Sequence, residues 1–274
     1  MSRGPAGDER GSSVWPITER RRRVMLRTRD GVAIEAAYEP GPGGPDNPAI
    51  VLAHGFTGDL ERPHVRRAAA VFAQRAAVVT FSFRGHGRSG GRSTVGDKEV
   101  LDLAAAVEWA RSLGHARVVT VGFSMGGSVV LRQAALHRGR MEAHVDGVVA
   151  VSAPARWFYR GTAPMRRVHW AVTRPAGRLV SRFGLRTRIH PYDWDPVPLS
   201  PVESVPLLAP TPLLVVHGDR DPYFPVDHPR MLIEASGGAA ELWLEPGMGH
   251  AENAASEELV ERIGAWVART LGAQ

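Results

Sequence analysis

The sequence contains no cysteine among its 274 residues, which excludes disulfide bonds, cysteine nucleophiles and thiolate metal sites. No apolar run approaches the length of about 18 residues that a membrane-spanning helix needs. The polar N-terminus also lacks the apolar segment of a secretory signal. We therefore predict a cytoplasmic protein whose residues 1–20 form a flexible leader.

Lysine is almost absent as well. Lys98 is the one lysine among 34 basic residues, and we attribute the abundance of arginine, alanine and glycine to coding bias before function. Hydrophobic residues make up 43% of the chain and charged residues 23%, which is ordinary for a globular protein with a sizeable core. These values exclude a disordered or fibrous chain.

The net charge of +6 is concentrated in one segment. Residues 154–205 hold nine arginines and three acidic residues, so the whole positive excess lies there. A nucleic-acid site would interleave such residues with stacking aromatics, and aromatic residues do lie nearby. We nevertheless predict no nucleic-acid partner, because the motif around Ser124, described below, indicates a different function more specifically. The cluster is interpreted first as a solvated surface, second as a field that attracts anionic substrates, and last as a contact with an anionic membrane.

Short apolar runs alternate with helical patterns along most of the chain. A hairpin with its turn at Asp30-Gly31 is followed by a regular succession of buried strands and amphipathic helices. This alternation predicts an α/β fold with a mostly parallel central sheet flanked by helices. The predicted strands after the hairpin are 49–53, 77–83, 118–121, 145–151, 213–216 and 240–244, and the predicted helices are 61–75, 97–113, 125–136, 226–235 and 257–271.

One long segment interrupts the alternation. Residues 154–210 are far too many for an ordinary loop between a strand and a helix, and they contain a helical pattern near 164–183. Pro175 lies inside that pattern and predicts a kink. We interpret 154–210 as a helical cap inserted into a core formed by 21–153 and 211–274.

The sharpest chemical signal is a Gly-x-Ser-x-Gly motif between a predicted strand and a predicted helix. Ser124 lies at its centre, flanked by Gly122 and Gly126. A tight turn at this point raises the serine hydroxyl above the carboxyl edge of the sheet, and side chains at the two glycines would collide with neighbouring elements. The following helix directs its N–H groups at the substrate carbonyl that the serine would attack. The motif therefore predicts a serine nucleophile.

A serine needs a base, and chain order selects among the eleven histidines. In sheets that carry this motif, an acid and then a histidine follow the serine. Only His228 and His250 follow the candidate acids. We choose His250, which lies in a glycine-bearing loop after the last predicted strand, and we assign His228 to the surface.

Two aspartates compete for the role of the acid. Asp219 and Asp221 follow the predicted strand 213–216, and either could hold the imidazole in the tautomer that leaves one nitrogen free for the serine. We favour Asp221, and we keep Asp219 as the alternative or as an acceptor for hydrogen bonds within its loop.

The negative charge on the substrate oxygen requires N–H donors. One predicted donor is the backbone N–H of Met125, the residue after the nucleophile. The other is the N–H of Phe56, in the loop after the strand 49–53. We predict that His54 braces this loop through hydrogen bonds and does not act as the base.

These motifs together resemble the α/β-hydrolase superfamily, in particular its serine esterase and lipase branch of monoglyceride-lipase-like and serine-aminopeptidase-like hydrolases. The resemblance covers about residues 25–272, and it implies that the acid is the aspartate four places after His217, which is Asp221. The departures are Ser82, where the family has Asp or Tyr, and a cap without a match in the family. The matching motifs are His54-Gly55-Phe56, Arg84-Gly85-His86-Gly87-Arg88-Ser89, Gly122-Phe123-Ser124-Met125-Gly126-Gly127, His217-Gly218 through Asp221 to Pro225, and Gly249-His250.

The resemblance also implies that the loop of Arg84 and His86 is structural. Ser124 argues against the haloalkane dehalogenases and epoxide hydrolases, which resemble this chain but carry an aspartate at that position. We therefore predict a serine hydrolase that cleaves small-molecule acyl esters through an acyl-enzyme, with no cofactor and no metal. The alternatives are an acyltransferase, thioesterase or amidase with the same triad, or a non-catalytic protein that binds a small ligand.

Overall fold

A computed structural model describes residues 21–44, 47–139 and 142–272, so the predicted leader lies outside the described residues. Eight strands form one sheet in the order β1-β2-β4-β3-β5-β6-β7-β8. The strands are β1 (Arg22–Arg27), β2 (Ala33–Glu39), β3 (Ala49–Ala53), β4 (Ala77–Phe81), β5 (Val118–Phe123), β6 (Gly147–Val151), β7 (Leu213–Gly218) and β8 (Ala240–Glu245).

The sheet is mostly parallel. β2 runs antiparallel to both β1 and β4, whereas every pairing from β4 through β8 is parallel. β3, β4, β5, β6 and β7 are buried along their whole length, as strands covered on both faces must be. The predicted hairpin and the predicted mostly parallel sheet are confirmed.

Helices cover both faces of the sheet. Alternate residues of each central strand point to opposite sides, so Val51 packs with α2 and α3 whereas Leu52 packs with α1 and α9. No helix in the described part of the chain is long and apolar enough to cross a membrane. The helices are α1 (Pro63–Phe72), α2 (Glu99–Ser112), α3 (Met125–Leu136), α4 (Ala163–Thr173), α5 (Pro175–Gly184), α6 (Pro201–Ser204), α7 (Asp227–Ala235), α8 (Ala251–Ala254) and α9 (Glu257–Gly272).

Residues 154–210, called the cap segment below, connect β6 to β7 and contain α4, α5 and α6. The predicted kink at Pro175 is wrong, because the structure has two separate helices there. Arg174 is extended (φ −98°, ψ 138°), and α5 begins at the proline. A proline disfavours helical geometry in the residue before it and suits the first turn of a new helix, so it ends α4 and begins α5.

Candidate active site

Ser124 lies on the tight turn between β5 and α3. Its backbone is in the left-handed region (φ 52°, ψ −114°), a conformation that costs about 1–3 kcal/mol and persists only where the surroundings enforce it. A Cβ at Gly122 would lie 2.2 Å from the carbonyl oxygen of Gly126, and one at Gly126 would lie 2.3 Å from that of Ala53. The two glycines therefore let β5, α3 and β3 approach closely enough to form the turn, as the sequence predicts.

The structure brings Ser124, His250 and Asp221 together from three strand-end loops. His250 Nε2 lies 2.9 Å from Ser124 Oγ, and His250 Nδ1 lies 2.7 Å from Asp221 Oδ2. In the matching tautomer, Nδ1–H donates to the carboxylate and Nε2 accepts from the serine hydroxyl. A continuous chain of hydrogen bonds thus links the carboxylate to the hydroxyl.

Asp221 is fixed by its own loop. Its Oδ1 accepts the backbone N–H groups of Tyr223 and Phe224, which leaves Oδ2 for His250. Burial alone would raise the pKa of Asp221. The hydrogen bond and charge of His250, together with the two backbone N–H groups, outweigh that effect and hold the pKa below its ordinary value of 3.8. The carboxylate is therefore ionised at neutral pH.

Asp219, the alternative acid, has a different partner. Its Oδ1 accepts the N–H of Gly247 at 2.6 Å and so braces the turn after β8. Asp219 therefore has the second role predicted for it, that of a hydrogen-bond acceptor within its loop. Asp221 occupies the position beside the imidazole.

Sequence reasoning missed two contacts that hold the loop of His250. The ring of Tyr223 stacks on the imidazole, with 4.3 Å between ring centres and 28° between their planes. The N–H of Ala251 donates to Ser152 Oγ at 3.0 Å, which ties the start of α8 to the end of β6. Ser152 belongs to no motif, and Tyr223 lies within the matching segment 217–225 without a role of its own there. Only the positions of these residues in the folded chain identify them.

His54 uses both ring nitrogens within the structure. Its Nδ1 donates to the carbonyl oxygen of Gly55 at 2.7 Å, and its Nε2 accepts the N–H of Phe83 at 3.0 Å. Complete burial is the main cause that lowers the pKa of His54 from 6.5 to about 3, so the ring stays neutral. The prediction that His54 braces the loop is confirmed.

His228 is not at the surface, so that prediction is wrong. The side chain is fully buried, and its Nδ1 accepts the N–H of Ala155 at 2.9 Å. Burial lowers its pKa from 6.5 to about 4. The first turn of α7 faces the start of the cap segment, where the rings of Tyr159 and Phe224 enclose the imidazole.

Glu252 is a further residue of the site that sequence reasoning missed. Its Oε1 accepts the N–H of Gly55 at 3.0 Å, although the two residues lie 197 positions apart. Arg67 donates to the backbone carbonyl of Glu252 at 3.0 Å and thereby helps to fix the helix that carries it. The carboxylate thus ties the His250 loop to the loop that precedes Phe56. Nothing in the sequence marks Glu252 except its position two residues after the histidine.

The predicted donors Phe56 and Met125 line the same cavity as Ser124 and His250. Within the described ranges, neither backbone N–H has an intramolecular acceptor. Met125 is the first residue of α3, where helix geometry leaves the N–H groups unpaired. Both groups are therefore available to an oxygen atom in the cavity.

The cavity above Ser124 has a volume of about 650 Å³ and a predominantly apolar lining. Residues of the cap segment line part of it, and a second cavity of about 540 Å³ shares Val95, Phe158 and His169 with it. Among the residues that the structure describes, no cluster of three histidine and carboxylate side chains could hold a metal ion. Apolar residues of the cap segment that line the first cavity include Trp157, Phe158, Met165, Val168, Trp170 and Leu185.

The loop after β4 supports this site without entering it. Arg84 is buried and donates to both carboxylate oxygens of Asp102 and to Asp30. Burial alone would lower the pKa of Arg84, but its hydrogen bonds to the two aspartates raise it. His86 Nδ1 donates to the carbonyl oxygen of Arg84, and its Nε2 accepts the N–H of Thr57. The structural role predicted for this loop is confirmed.

Comparisons with known proteins agree with this architecture. A family model described as the alpha/beta hydrolase fold matches residues 48–171. The monoacylglycerol lipase of Mycolicibacterium smegmatis is 29% identical over 237 residues, which cover 73% of this chain and 80% of that protein.

Solved structures show the same fold at low identity. An esterase of Pyrococcus furiosus superposes with a TM-score of 0.71 at 24% identity, covering 92% of this chain and 91% of that one. The alpha/beta hydrolase GrgF of Penicillium gives a TM-score of 0.71 at 18% identity, covering 92% and 99% of the two chains. The chain therefore has the α/β-hydrolase fold, and its similarity lies with esterases and lipases of that fold.

Proposed function

We propose that this protein is a serine hydrolase that cleaves acyl esters through a Ser124–His250–Asp221 triad. The observation that carries the proposal is the chain of hydrogen bonds of 2.9 Å and 2.7 Å that joins the three side chains. A hydroxyl within hydrogen-bond reach of a base, which is in turn oriented by a third group, is the arrangement that activates a serine.

The first half of the reaction forms an acyl-enzyme. Ser124 Oγ attacks the carbonyl carbon of the ester while His250 Nε2 accepts the hydroxyl proton. The oxyanion that develops accepts hydrogen bonds from the N–H groups of Phe56 and Met125. When the tetrahedral intermediate collapses, the carbon–oxygen bond to the leaving alcohol breaks, and His250 returns its proton to that alcohol.

The second half of the reaction consumes water. His250 takes a proton from a water molecule, whose oxygen attacks the acyl carbon. The ester bond to Ser124 breaks, Ser124 Oγ regains a proton from His250, and the carboxylic acid leaves. Asp221 stays ionised throughout, because its pKa lies below the ordinary value, and it stabilises the imidazolium at each step.

The cavity favours an ester whose acyl or alcohol part is apolar. Its volume of about 650 Å³ lies within the usual range for small-molecule sites, and aliphatic and aromatic side chains dominate its walls. The relation to a monoacylglycerol lipase supports the same substrate class. We expect turnover of p-nitrophenyl esters to increase with acyl length until the chain fills this space.

Replacement of the nucleophile tests the proposal. Ser124→Ala should abolish turnover of p-nitrophenyl butyrate, because no other group can form the acyl-enzyme, while the circular dichroism spectrum stays unchanged. The matched control is Ser112→Ala, which alters a serine at the end of α2 outside the cavity and should keep full activity. Undiminished turnover by the folded Ser124→Ala protein would refute the proposed function.

A further inference from the structure

The second cavity, with a volume of about 540 Å³, takes no part in the reaction described above. It meets the cavity above Ser124 at Val95, Phe158 and His169, which line both spaces. A substrate that is too long for the first cavity therefore has the second as its adjoining space. The lining of the second cavity is different in chemistry from that of the first, and it indicates which part of a substrate the cavity accepts.

The boundary between the two cavities is fixed by the loop between β4 and α2. Val95 is in the left-handed region (φ 55°), a costly conformation for a β-branched residue that persists only where its neighbours enforce it. The buried carboxylate of Glu99 accepts the N–H groups of Thr94 and Gly96 on either side of Val95. Trp194 donates its indole N–H to the carbonyl oxygen of Thr94 at 2.7 Å and so attaches the cap segment to the same loop. The position of Val95 is therefore built into the fold.

Several uncharged polar groups line the second cavity. The hydroxyl groups of Ser93 and Thr94 are engaged within the protein, because both donate to Glu99. The imidazole of His190 and the hydroxyl of Tyr192 also line the cavity, and each can add a hydrogen bond to a ligand. Groups of this kind suit many polar ligands, so the charged residues of the lining decide which class fits.

Arg160 supplies a positive charge that the protein does not neutralise. Its Nε–H donates to His169 Nδ1 at 3.2 Å, and that bond leaves the two terminal amino groups of the guanidinium available. Burial, and after it the charge of Arg160, lower the pKa of His169, so the imidazole is uncharged at neutral pH. Of the nine arginines in 154–192, Arg156 is the one that reaches a carboxylate within the described structure, that of Asp227.

The charge around the second cavity favours an anion. Residues 154–192 contain no acidic residue beside their nine arginines. The lining includes one carboxylate, that of Asp193, which is exposed and forms no ion pair with Arg160 in the described part of the chain. A cationic ligand would meet the positive field of these arginines, whereas an anionic ligand is attracted by it and finds a free guanidinium.

We propose that the second cavity binds a carboxylate that the ester substrate carries far from its ester bond, and that Arg160 recognises this carboxylate. A guanidinium offers parallel N–H groups in the geometry that a carboxylate accepts. The apolar part of the substrate fills the cavity above Ser124, passes the boundary at Val95 and Phe158, and ends at Arg160. The placement of the ester bond at Ser124 rests on the proposed function, whereas the binding of the carboxylate does not.

Matched pairs of esters measure this selectivity. Mono-p-nitrophenyl esters of dicarboxylic acids with six, nine and twelve carbons are compared with p-nitrophenyl esters of monocarboxylic acids of the same length. At nine or twelve carbons we expect kcat/KM to favour the diacid ester by about tenfold, because charge-assisted hydrogen bonds to Arg160 form. At six carbons the carboxylate stays in the first cavity and gains nothing. A preference that is largest at six carbons would place its recognition in the first cavity, which Arg167 lines, and would overturn the proposal.

A second series places the carboxylate on the alcohol part of the ester. Butanoyl esters of ω-hydroxy carboxylic acids are compared with butanoyl esters of simple alcohols of the same lengths, and the release of butanoic acid is followed by titration. A preference for the acidic member in either series supports the proposal and shows which part of the substrate enters the second cavity. Equal turnover within every pair of both series overturns it.

Three variants separate direct contact from the general field of the cap segment. Arg160→Gln should lower the ratio of kcat/KM for the acidic ester to that for its neutral partner by about tenfold. Arg160→Lys should lower it less, because an ammonium keeps the charge without the paired N–H groups. Arg182→Gln is the matched control, since it removes the same charge from an exposed residue of α5 that lines neither cavity, and it should keep the ratio of the parent protein. Equal decreases in Arg160→Gln and Arg182→Gln would overturn recognition by Arg160.

Binding without catalysis separates this inference from the proposed function. The folded Ser124→Ala protein is titrated in a calorimeter with monoethyl nonanedioate and with ethyl nonanoate. We expect the acidic ester to bind about tenfold more tightly, and Arg160→Gln in the same protein should remove the difference. If the parent protein hydrolyses no ester but this difference is measured, the proposed function fails and the carboxylate site stands. If esters are hydrolysed but the two ligands bind equally, the carboxylate site fails and the proposed function stands.

Discussion

The candidate site and the cap segment above it are built in opposite ways. In the site and in the loop that supports it, buried charged groups have defined partners, such as Asp221 with three hydrogen-bond donors and Arg84 with two aspartates. In the cap segment, α4 has no fully buried residue, although Met165 and Val168 line the cavity, and α5 fully buries only two small residues. The side chains of the site are therefore fixed by several partners, whereas the helices of the cap segment leave large apolar side chains exposed.

The contrast explains where strain and charge occur in the molecule. Ser124 adopts a costly backbone conformation because β5, α3 and β3 pack around it. Arg182 and Arg186 of the cap segment face solvent, where unpaired charge costs little. Substitutions at the two regions should therefore affect different measurements: catalysis and stability at the site, and the preference among substrates at the cap segment.

The largest expected effect is on catalysis. Asp221→Asn keeps the shape of the side chain but removes the charge, and it allows the imidazole to adopt the tautomer that cannot accept the serine proton. We expect kcat for ester hydrolysis to fall by about 10⁴-fold, the order found when this position of a serine triad loses its charge. Asp219→Asn is the matched control and should lower kcat little, because Asp219 contacts the turn at Gly247.

The next effect is on stability and compares a buried charge pair with an exposed, unpaired arginine. Asp102→Asn leaves the buried guanidinium of Arg84 without its most buried partner, and it should lower the free energy of unfolding by about 3–5 kcal/mol. Arg182→Gln in the cap segment should change it by less than about 0.5 kcal/mol. Urea denaturation of both variants measures the difference, and equal losses would contradict the contrast between the regions.

Acid should destabilise the site region through its buried histidines. The pKa of His54 lies at about 3 and that of His228 at about 4, against 6.5 in an unfolded chain. The unfolded state therefore binds these protons first, and stability falls as pH decreases below about 6.5. Each histidine should contribute a loss of about 3 kcal/mol between pH 7 and pH 4.

Denaturation at a series of pH values measures this loss. The His228→Gln variant lacks one of the two groups, so its stability should decrease less steeply over the same interval. A parent protein with constant stability from pH 7 to pH 4 would show that these rings are not held neutral.

The smallest effect concerns the link between the two loops of the site. Glu252→Ala removes the acceptor for the N–H of Gly55, so the Gly55–Phe56 peptide should lose its fixed orientation. We expect kcat to fall by about 10- to 100-fold while KM changes little, since the lost stabilisation acts on the oxyanion. Glu252→Gln keeps an acceptor and should restore most of the activity. Equal losses in both variants would contradict a positioning role for Glu252.

Much of the fold follows from the sequence because its signals are local. Continuous apolar runs between turn residues mark buried strands such as β3 and β5. The motif around Ser124 marks the turn between β5 and α3. Chain order then narrows the acid to Asp219 or Asp221 and the base to His228 or His250, since the loops at the carboxyl edge of a parallel sheet meet in space. The resemblance to the family favours Asp221, and the glycine-bearing loop favours His250.

The remaining features depend on contacts between distant segments. His228 looks like a surface residue in a polar helix start, but the cap segment covers it. Glu252 and Tyr223 have no pattern of their own, and their roles appear only when their loops are next to Gly55 and His250. The exposed apolar residues of α5 could not be predicted, because periodicity shows that a helix is amphipathic without showing which side faces the protein.

The most direct test of the central claim is to identify the atom that becomes acylated. The protein is treated with a fluorophosphonate at neutral pH, digested, and analysed by peptide mass spectrometry. The account predicts a single adduct on Ser124, strongly reduced in Asp221→Asn and absent in Ser124→Ala. An adduct on another residue, or no adduct on the folded parent protein, would contradict it.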